Sequence, residues 1–162
     1  MMTSSGPVTV QLLADNAQLI VAVGALRWRE WGHASDTEDC DRWVGVTARE
    51  AGRDHLPITW VAIDARGEAL GAVGLGEFDI EERRDRSPWV LGMIVRPERR
   101  GTGIGSLLMA ELEEWAGMHG YMQVWVANEG PAIGFYRTCG WKLSETVERA
   151  SGEVASVLTK HL

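Results

Sequence analysis

Apolar positions along the chain recur at two spacings, every second residue in some segments and every third or fourth in others, and the changes between them mark the elements. Val8 to Leu12 alternates and reads as a strand. Asp15 then stands as an N-cap for a helix running to about Trp31, through the unbroken apolar or Gly run Leu19 to Leu26. A polar acidic stretch, His33 to Asp41, leads into a second predicted helix, about Asp39 to Ala51, closed by Gly52 and followed by Pro57. Ile58 to Asp64 and Glu68 to Ile80 read as strands of a hairpin around Ala65-Arg66-Gly67. The charged run Glu81 to Arg86 reads as a solvated loop.

The second half is more regular. Trp89 to Val95 is an apolar strand ended by Arg96-Pro97, and Ile104 to Gly117 is a helix whose Ile104, Leu108 and Leu112, with Leu107 and Trp115, mark one apolar face. Tyr121 to Ala127 is a strand, Pro131 to Thr138 a short helix stopped by Gly140, and Trp141 to Arg149 with Glu153 to Lys160 a terminal hairpin around Ala150-Ser151-Gly152. The order β-α-α-β-β-β-α-β-α-β-β combines hairpins with crossover helices. It predicts an α/β (α+β) fold, a mixed sheet covered by helices.

At 162 residues the chain suits a single domain, 1–162, with a core that needs no disulfide or metal staples. Lys plus Arg number 16 against 23 Asp plus Glu, a net charge of −7, which argues against a sequence-independent nucleic-acid binder. No run is long enough to span a membrane, no charged segment precedes an apolar one at the start, and Cys40 and Cys139 form no C-x-x-C pair. A reducing cytoplasm is the expected setting, with no membrane and no nucleic-acid partner. Eight Trp against two Tyr and two Phe make the aromatic set unusual.

The strongest chemical signal lies between a predicted strand and a predicted helix, in Arg99-Arg100-Gly101-Thr102-Gly103-Ile104-Gly105-Ser106. Closely spaced glycines let successive backbone N–H groups point at one anion, and a helix N-terminus adds partial positive charge. Arg96, Arg99 and Arg100 gather charge beside it. A P-loop would need Gly-Lys-Ser/Thr, which is absent, and a dinucleotide fingerprint would need Gly at position 106, which is Ser106. What fits is [Q/R]-x-x-G-x-[G/A], read from Arg100 to Gly105.

This loop resembles the acetyl-CoA pyrophosphate loop of the GNAT N-acetyltransferase superfamily. The resemblance runs through Val95 to Leu112 and resumes at Ala127 to Trp141, where Asn128, Ala132, Phe135, Tyr136, Gly140 and Trp141 are similar to the family's N-x-x-A-x-x-F-Y-x-x-x-G-F/W block. It covers about residues 58–160 well and the first 57 by element order only. It implies a largely antiparallel, twisted sheet of six to seven strands with about four helices. Residues 1–57 would supply acceptor-side helices, and 58–162 the sheet and acetyl-CoA half.

The implied activity is acetyl transfer from the CoA thioester to a primary amine by direct attack, which suits a sequence with no convincing Ser/His/Asp or Cys/His set. By resemblance, main-chain groups of Met93 and Val95 would pair with the pantetheine arm and polarise the thioester carbonyl. The N–H groups of Arg100, Gly101, Thr102, Gly103, Ile104, Gly105 and Ser106 would hold the pyrophosphate. Tyr136 would be the general acid that protonates the departing thiolate, its plainer reading being a core tyrosine with a capped hydroxyl. Asn128 would contact the pantetheine arm, or serve only as a turn residue before Gly130-Pro131.

Some members carry a glutamate on the fourth strand, and Trp89 to Val95 has none. Glu77 on the preceding strand is therefore the candidate base, with Asp79 on the same face, and strand-end charge is the alternative. Trp28 and Trp31 on the first helix, with Trp43 on the second, would wall the acceptor site for a cationic or aromatic amine, or else pack against the sheet. Trp115, Trp125 and Trp141 read as framework. His33 and His55 read as loop histidines and Cys139 as a small apolar filler. The acceptor is expected to be a small-molecule amine or a peptide, no metal is needed, and a homodimer stays open. A catalytically silent acyl-CoA or nucleotide-binding module is the alternative function.

Overall fold

Seven strands line up in the order β1-β2-β3-β4-β5-β7-β6 in a computed structural model that describes residues 6–32 and 39–162. They are β1 (Thr9–Leu12), β2 (Ile58–Ile63), β3 (Ala69–Gly76), β4 (Trp89–Val95), β5 (Gln123–Asn128), β6 (Lys142–Glu148) and β7 (Val154–His161). Four α-helices accompany them: α1 (Ile20–Arg27), α2 (Cys40–Arg49), α3 (Ile104–Met118) and α4 (Ile133–Thr138). β1 pairs with β2, β5 with β7 and β6 with β7 antiparallel, while β4 meets β5 in parallel with Trp89 opposite Trp125. The mixed, helix-covered sheet expected from the sequence is the one observed. His33 and most of the polar stretch after it lie outside the described residues.

The chain divides into two compact units. The first comprises Met1–Gly74 and Gly92–Leu112. Its core joins Leu19, Val23 and Leu26 with Val61 and Ile63 of β2, Ala69 and Ala72 of β3 and Ile94 of β4. Apolar residues at helical spacing on α1 thus cover the strands beside them. α1 and α2 cross with backbones almost touching, since a Cβ at Gly24 would sit 2.7 Å from Val44 Cα. α2 starts where the sequence places it, because the Asp39 side chain accepts from the Arg42 N–H at 2.9 Å.

The start of the first helix differs from expectation. Asp15 is no cap: it ends a short 3-10 turn, a second such turn covers Ala17–Leu19, and α1 begins only at Ile20. Asn16 makes the break, its amide donating to the Leu12 carbonyl at 3.0 Å and holding the backbone out of the helical region. Asp15 instead pairs with Arg53. The helix also ends earlier, at Arg27, and Trp28–Gly32 form a wider π-type turn. β2 and β3 form the expected hairpin. Asp64 accepts from the N–H groups of Arg66 and Glu68, both at 2.9 Å, and Gly67 takes the positive φ of +82° that the turn needs.

The second unit comprises Leu75–Leu91 and Glu113–Leu162. Ile80, Trp89, Val147 and Val157 form its core, with Leu91, Trp125 and Ala127 packed on them. The run Glu81 to Arg86 is not simply solvated. Arg83 and Arg86 both reach Glu145 of β6, at 2.6 and 2.8 Å, and Arg149 binds Glu82 at 2.9 Å and Glu129 at 2.6 Å. Oppositely charged groups brought together from distant parts of the sequence pin this segment. On α3, Ile104, Leu108 and Leu112 are buried as expected, together with Met109 and Ala116, but Leu107 is exposed because it lies out of phase with that stripe.

Candidate functional site

The glycine turn sits where its residue types require. Pro97–Arg99 make one 3-10 turn, Gly101 and Gly103 take φ of +77° and +90°, and α3 follows at once. A Cβ at Gly101 or Gly103 would meet no atom within 4 Å, so packing does not demand glycine there. The positive φ values do, since only glycine takes them without strain, and such a turn suits successive N–H groups to one anion. The Thr102 hydroxyl donates to the Arg99 carbonyl at 2.6 Å and ties the turn shut. Ile104, Gly105 and Ser106 open a helix of 15 residues, whose N-terminal end carries partial positive charge.

The three arginines beside the turn are not equivalent. Arg96 donates to the Ala69 carbonyl of β3 at 2.6 Å, so it is a structural pin. Arg100 donates through Nε to the Val95 carbonyl at 3.0 Å and through Nη2 to Glu30 at 3.1 Å. Glu30 is therefore engaged by a neighbouring arginine. Arg99 keeps Nη2 buried with no hydrogen-bond partner among the described residues. A cavity of about 250 Å³ lies beside this segment, lined by Leu26, Arg29, Glu30, Ile94, Arg96 and Arg100 among others.

Met93 and Val95 lie on β4 as expected, and the Val95 carbonyl is the one taken by Arg100. Just before them Gly92 takes φ of +51°, which bends the strand. A side chain there would also collide with Arg27, whose Nε would lie 2.7 Å from the new Cβ. Trp28 and Trp31 lie on the π-type turn rather than on the helix proper. Trp31 is 44% exposed and stacks on Trp43 with ring centroids 6.3 Å apart. Trp31 therefore meets solvent on one side and protein on the other.

In the second unit, Tyr136 lies on α4, 4% exposed, edge-on to Trp141 at 5.8 Å and to Phe135 at 5.2 Å. Burial, with smaller contributions from Cys139 and Asp79, holds the phenol well above its ordinary value. It keeps its proton at physiological pH. Asn128 ends β5, its Oδ1 accepting from the Gly130 N–H at 2.8 Å in a turn, while its Nδ2 is buried with no partner among the described residues. The turn reading is observed, and a donor is left over.

Glu77 and Asp79 are not on a strand. β3 ends at Gly76, and both carboxylates follow in an irregular exposed segment, so the shared strand face does not exist. The last residue of β3 has to be glycine, because a Cβ at Gly76 would lie 2.5 Å from Leu91 Cδ1. His55 is exposed in a loop, as expected. Among the described residues no group of three or more His, Cys, Asp or Glu could hold a metal ion, and no helix is long and apolar enough to cross a membrane.

Sequence reading missed Arg27. It closes an apolar helix, and nothing in the spacing announces that Glu50, 23 positions on, would be its partner at 3.1 Å. Its one signal was being the first basic residue of the chain, set at the end of an eight-residue apolar run.

Residues 56–143 match the family model of the acetyltransferase (GNAT) domain. No curated protein matches the chain. Among solved structures, it is similar to an aminoglycoside 6'-N-acetyltransferase complexed with coenzyme A, at 14% identity and TM-score 0.75 over 94% of this chain and 96% of that one. A putative streptothricin acetyltransferase from Bacillus anthracis str. Ames, in complex with acetyl coenzyme A, gives 17% identity and TM-score 0.60 over 71% and 67%. Nourseothricin acetyltransferase gives 29% identity and TM-score 0.54 over 64% of each chain. With its glycine turn inside a domain match that covers more than half of the sequence, the chain belongs to the GNAT acetyltransferase family.

Proposed function

We propose that the protein is an acetyl-CoA-dependent N-acetyltransferase whose acceptor is a small-molecule primary amine. The observation that carries this reading is the pair of positive-φ glycines, Gly101 and Gly103, opening the long helix α3 within the matched domain. The Arg100 N–H already donates to the Pro97 carbonyl at 3.3 Å, so the N–H groups from Gly101 to Gly105 are the ones that suit the pyrophosphate, and the unpartnered Arg99 Nη2 suits an anion beside it. The buried Asn128 Nδ2 is a donor suited to an amide carbonyl of the pantetheine arm. Bound acetyl-CoA supplies an activated acetyl thioester, so the protein needs no covalent nucleophile.

In this reading the main chain of β4 at Met93 and Val95 lines the pantetheine arm, and an N–H there stabilises negative charge on the thioester oxygen. The amine nitrogen forms the new C–N bond as the C–S bond breaks. Tyr136 gives its proton to the leaving thiolate and recovers it from solvent. The amine proton leaves through water, with Glu77 as the proposed acceptor. Glu77→Gln with an unaltered pH–rate profile removes Glu77 from that role.

Trp28 and the exposed Trp31 are the proposed acceptor contacts, presenting ring faces to a cationic amine. The structural neighbours include an aminoglycoside 6'-N-acetyltransferase, a putative streptothricin acetyltransferase and nourseothricin acetyltransferase, and all are consistent with an acceptor of this class. Both cysteines are thiols, in keeping with a proposed cytoplasmic setting. The test is thiol release from acetyl-CoA across a panel of small amines and peptides. Release with a cationic small amine supports the reading. Binding of CoA without turnover of any amine makes the protein a silent acyl-CoA module instead.

A further inference from the structure

A buried cation grips the main chain of β4. Arg27, at the end of α1, is 3% exposed, and its Nε donates to the Gly92 carbonyl at 3.1 Å. Nη1 donates to Glu50 Oε1 at 3.1 Å and to Thr47 Oγ1 at 3.3 Å. Nη2 is buried with no partner among the described residues. The guanidinium lies against Gly92 so closely that a Cβ there would be 2.7 Å from Nε and 2.9 Å from Cζ. Burial draws Arg27 below the ordinary guanidinium value and raises Glu50, while each partner's charge opposes the other's shift.

This arrangement is costly as a simple staple. Desolvating two ions carries a cost that their attraction often only offsets, and an apolar pair of the same volume packs as well. The geometry shows what the charge acts on. The Gly92 carbonyl belongs to the same planar trans peptide as the Met93 N–H, and the two point in opposite directions. A cation on the oxygen fixes the plane of that peptide and draws electron density toward itself, which makes the N–H at the other end a stronger donor.

We propose that Arg27 is a positioning residue for acyl transfer: it orients and polarises the Gly92–Met93 peptide so that the Met93 N–H donates to the thioester carbonyl. The inference rests on the acetyl-transfer reading above. Glu50 and Thr47 set the direction of the guanidinium, and Glu50 moderates its field. Gly92 is required twice, for its positive φ and for the space that Arg27 occupies.

The test is infrared difference spectroscopy of acetyl-CoA labelled with ¹³C at the thioester carbonyl, bound to wild type, to the double variant Arg27→Gln/Glu50→Gln, and to Glu50→Gln alone. CoA affinity and acetyl-transfer kinetics are measured in parallel. In wild type the carbonyl band lies below that of free acetyl-CoA. The double variant moves it back toward the free position and lowers kcat about ten- to hundredfold, with CoA affinity within about threefold. Glu50→Gln, which keeps the guanidinium and removes its counter-charge, moves the band the other way. This arm carries the test if the double variant does not fold.

A wild-type band at the free position, or bands unchanged in the variants, overturns the role of Arg27 while acetyl transfer stands. Failure of wild type to bind acetyl-CoA overturns the reading beneath it.

Discussion

The indole of Trp31 stacks on that of Trp43 with ring centroids 6.3 Å apart and planes inclined at 24°, joining the turn after α1 to α2. Gly32 leaves room for Trp28 and Trp43 beside this turn, because a Cβ there would lie 2.5 Å from both Trp28 Cδ1 and Trp43 Nε1. Trp31 is the more open partner at 44% exposure. Trp31→Ala is expected to raise the acceptor KM about five- to thirtyfold, with acetyl-CoA KM and Tm nearly unchanged. Gly32→Ala should destabilise by about 1–3 kcal/mol through overpacking. Steady-state kinetics and thermal unfolding separate the two effects, and an unchanged acceptor KM in Trp31→Ala places the acceptor elsewhere.

At the glycine turn, stability and function should come apart. Gly101→Ala and Gly103→Ala place a methyl where no atom lies within 4 Å, so the cost to the fold is backbone strain alone, about 1–2 kcal/mol. The N–H groups these glycines aim would shift, and CoA affinity should fall at least about tenfold. Calorimetric titration with CoA, set beside denaturant unfolding, checks both numbers. Retained CoA affinity in both variants removes the turn from the binding site.

Tyr136→Phe keeps the ring contacts with Phe135 and Trp141 and deletes only the hydroxyl, so Tm should stay close to wild type. kcat should drop about 10²–10⁴-fold, with acetyl-CoA affinity little altered. Because burial raises the Tyr136 phenol above its ordinary value of about 10, its proton stays on across the usual assay range. The wild-type rate should therefore show no alkaline limb from this group below pH 10. A limb near pH 9 that vanishes in the variant contradicts that assignment.

Glu145 is held by Arg83 and Arg86, which with their hydrogen bonds lower its carboxyl below the ordinary range. A carboxylate depressed in the folded state adds stability that is fully present above its unfolded value and lost as pH falls through the folded one. Glu145→Gln should cost about 1 kcal/mol at pH 7, since the cluster is only partly buried. The difference from wild type should shrink as pH falls below about 4.5. Thermal melts of both proteins between pH 7 and pH 3 test the sign. A gap that widens in acid would contradict the ion-pair origin.

Local chemistry wrote much of this molecule into its sequence. The Asp39 cap, the Gly67 turn, the stop at Gly140 and the stripe Ile104, Leu108, Leu112 each depend on residues within a few positions of one another. The glycine turn at 101–103 is legible for the same reason, because positive φ is a property of single residues. Glu77 reads as a strand residue from local alternation, whereas β3 ends at Gly76, which packs against Leu91, a residue brought beside it only by the fold. The segment 81–86 looked solvated because its partners, Glu145 and Arg149, lie some sixty residues away. Arg27 shows the division most sharply. The sequence determines that an arginine closes an apolar run, but only tertiary packing sets it against the Gly92 carbonyl and Glu50, since burying a charge requires partners that no local spacing specifies.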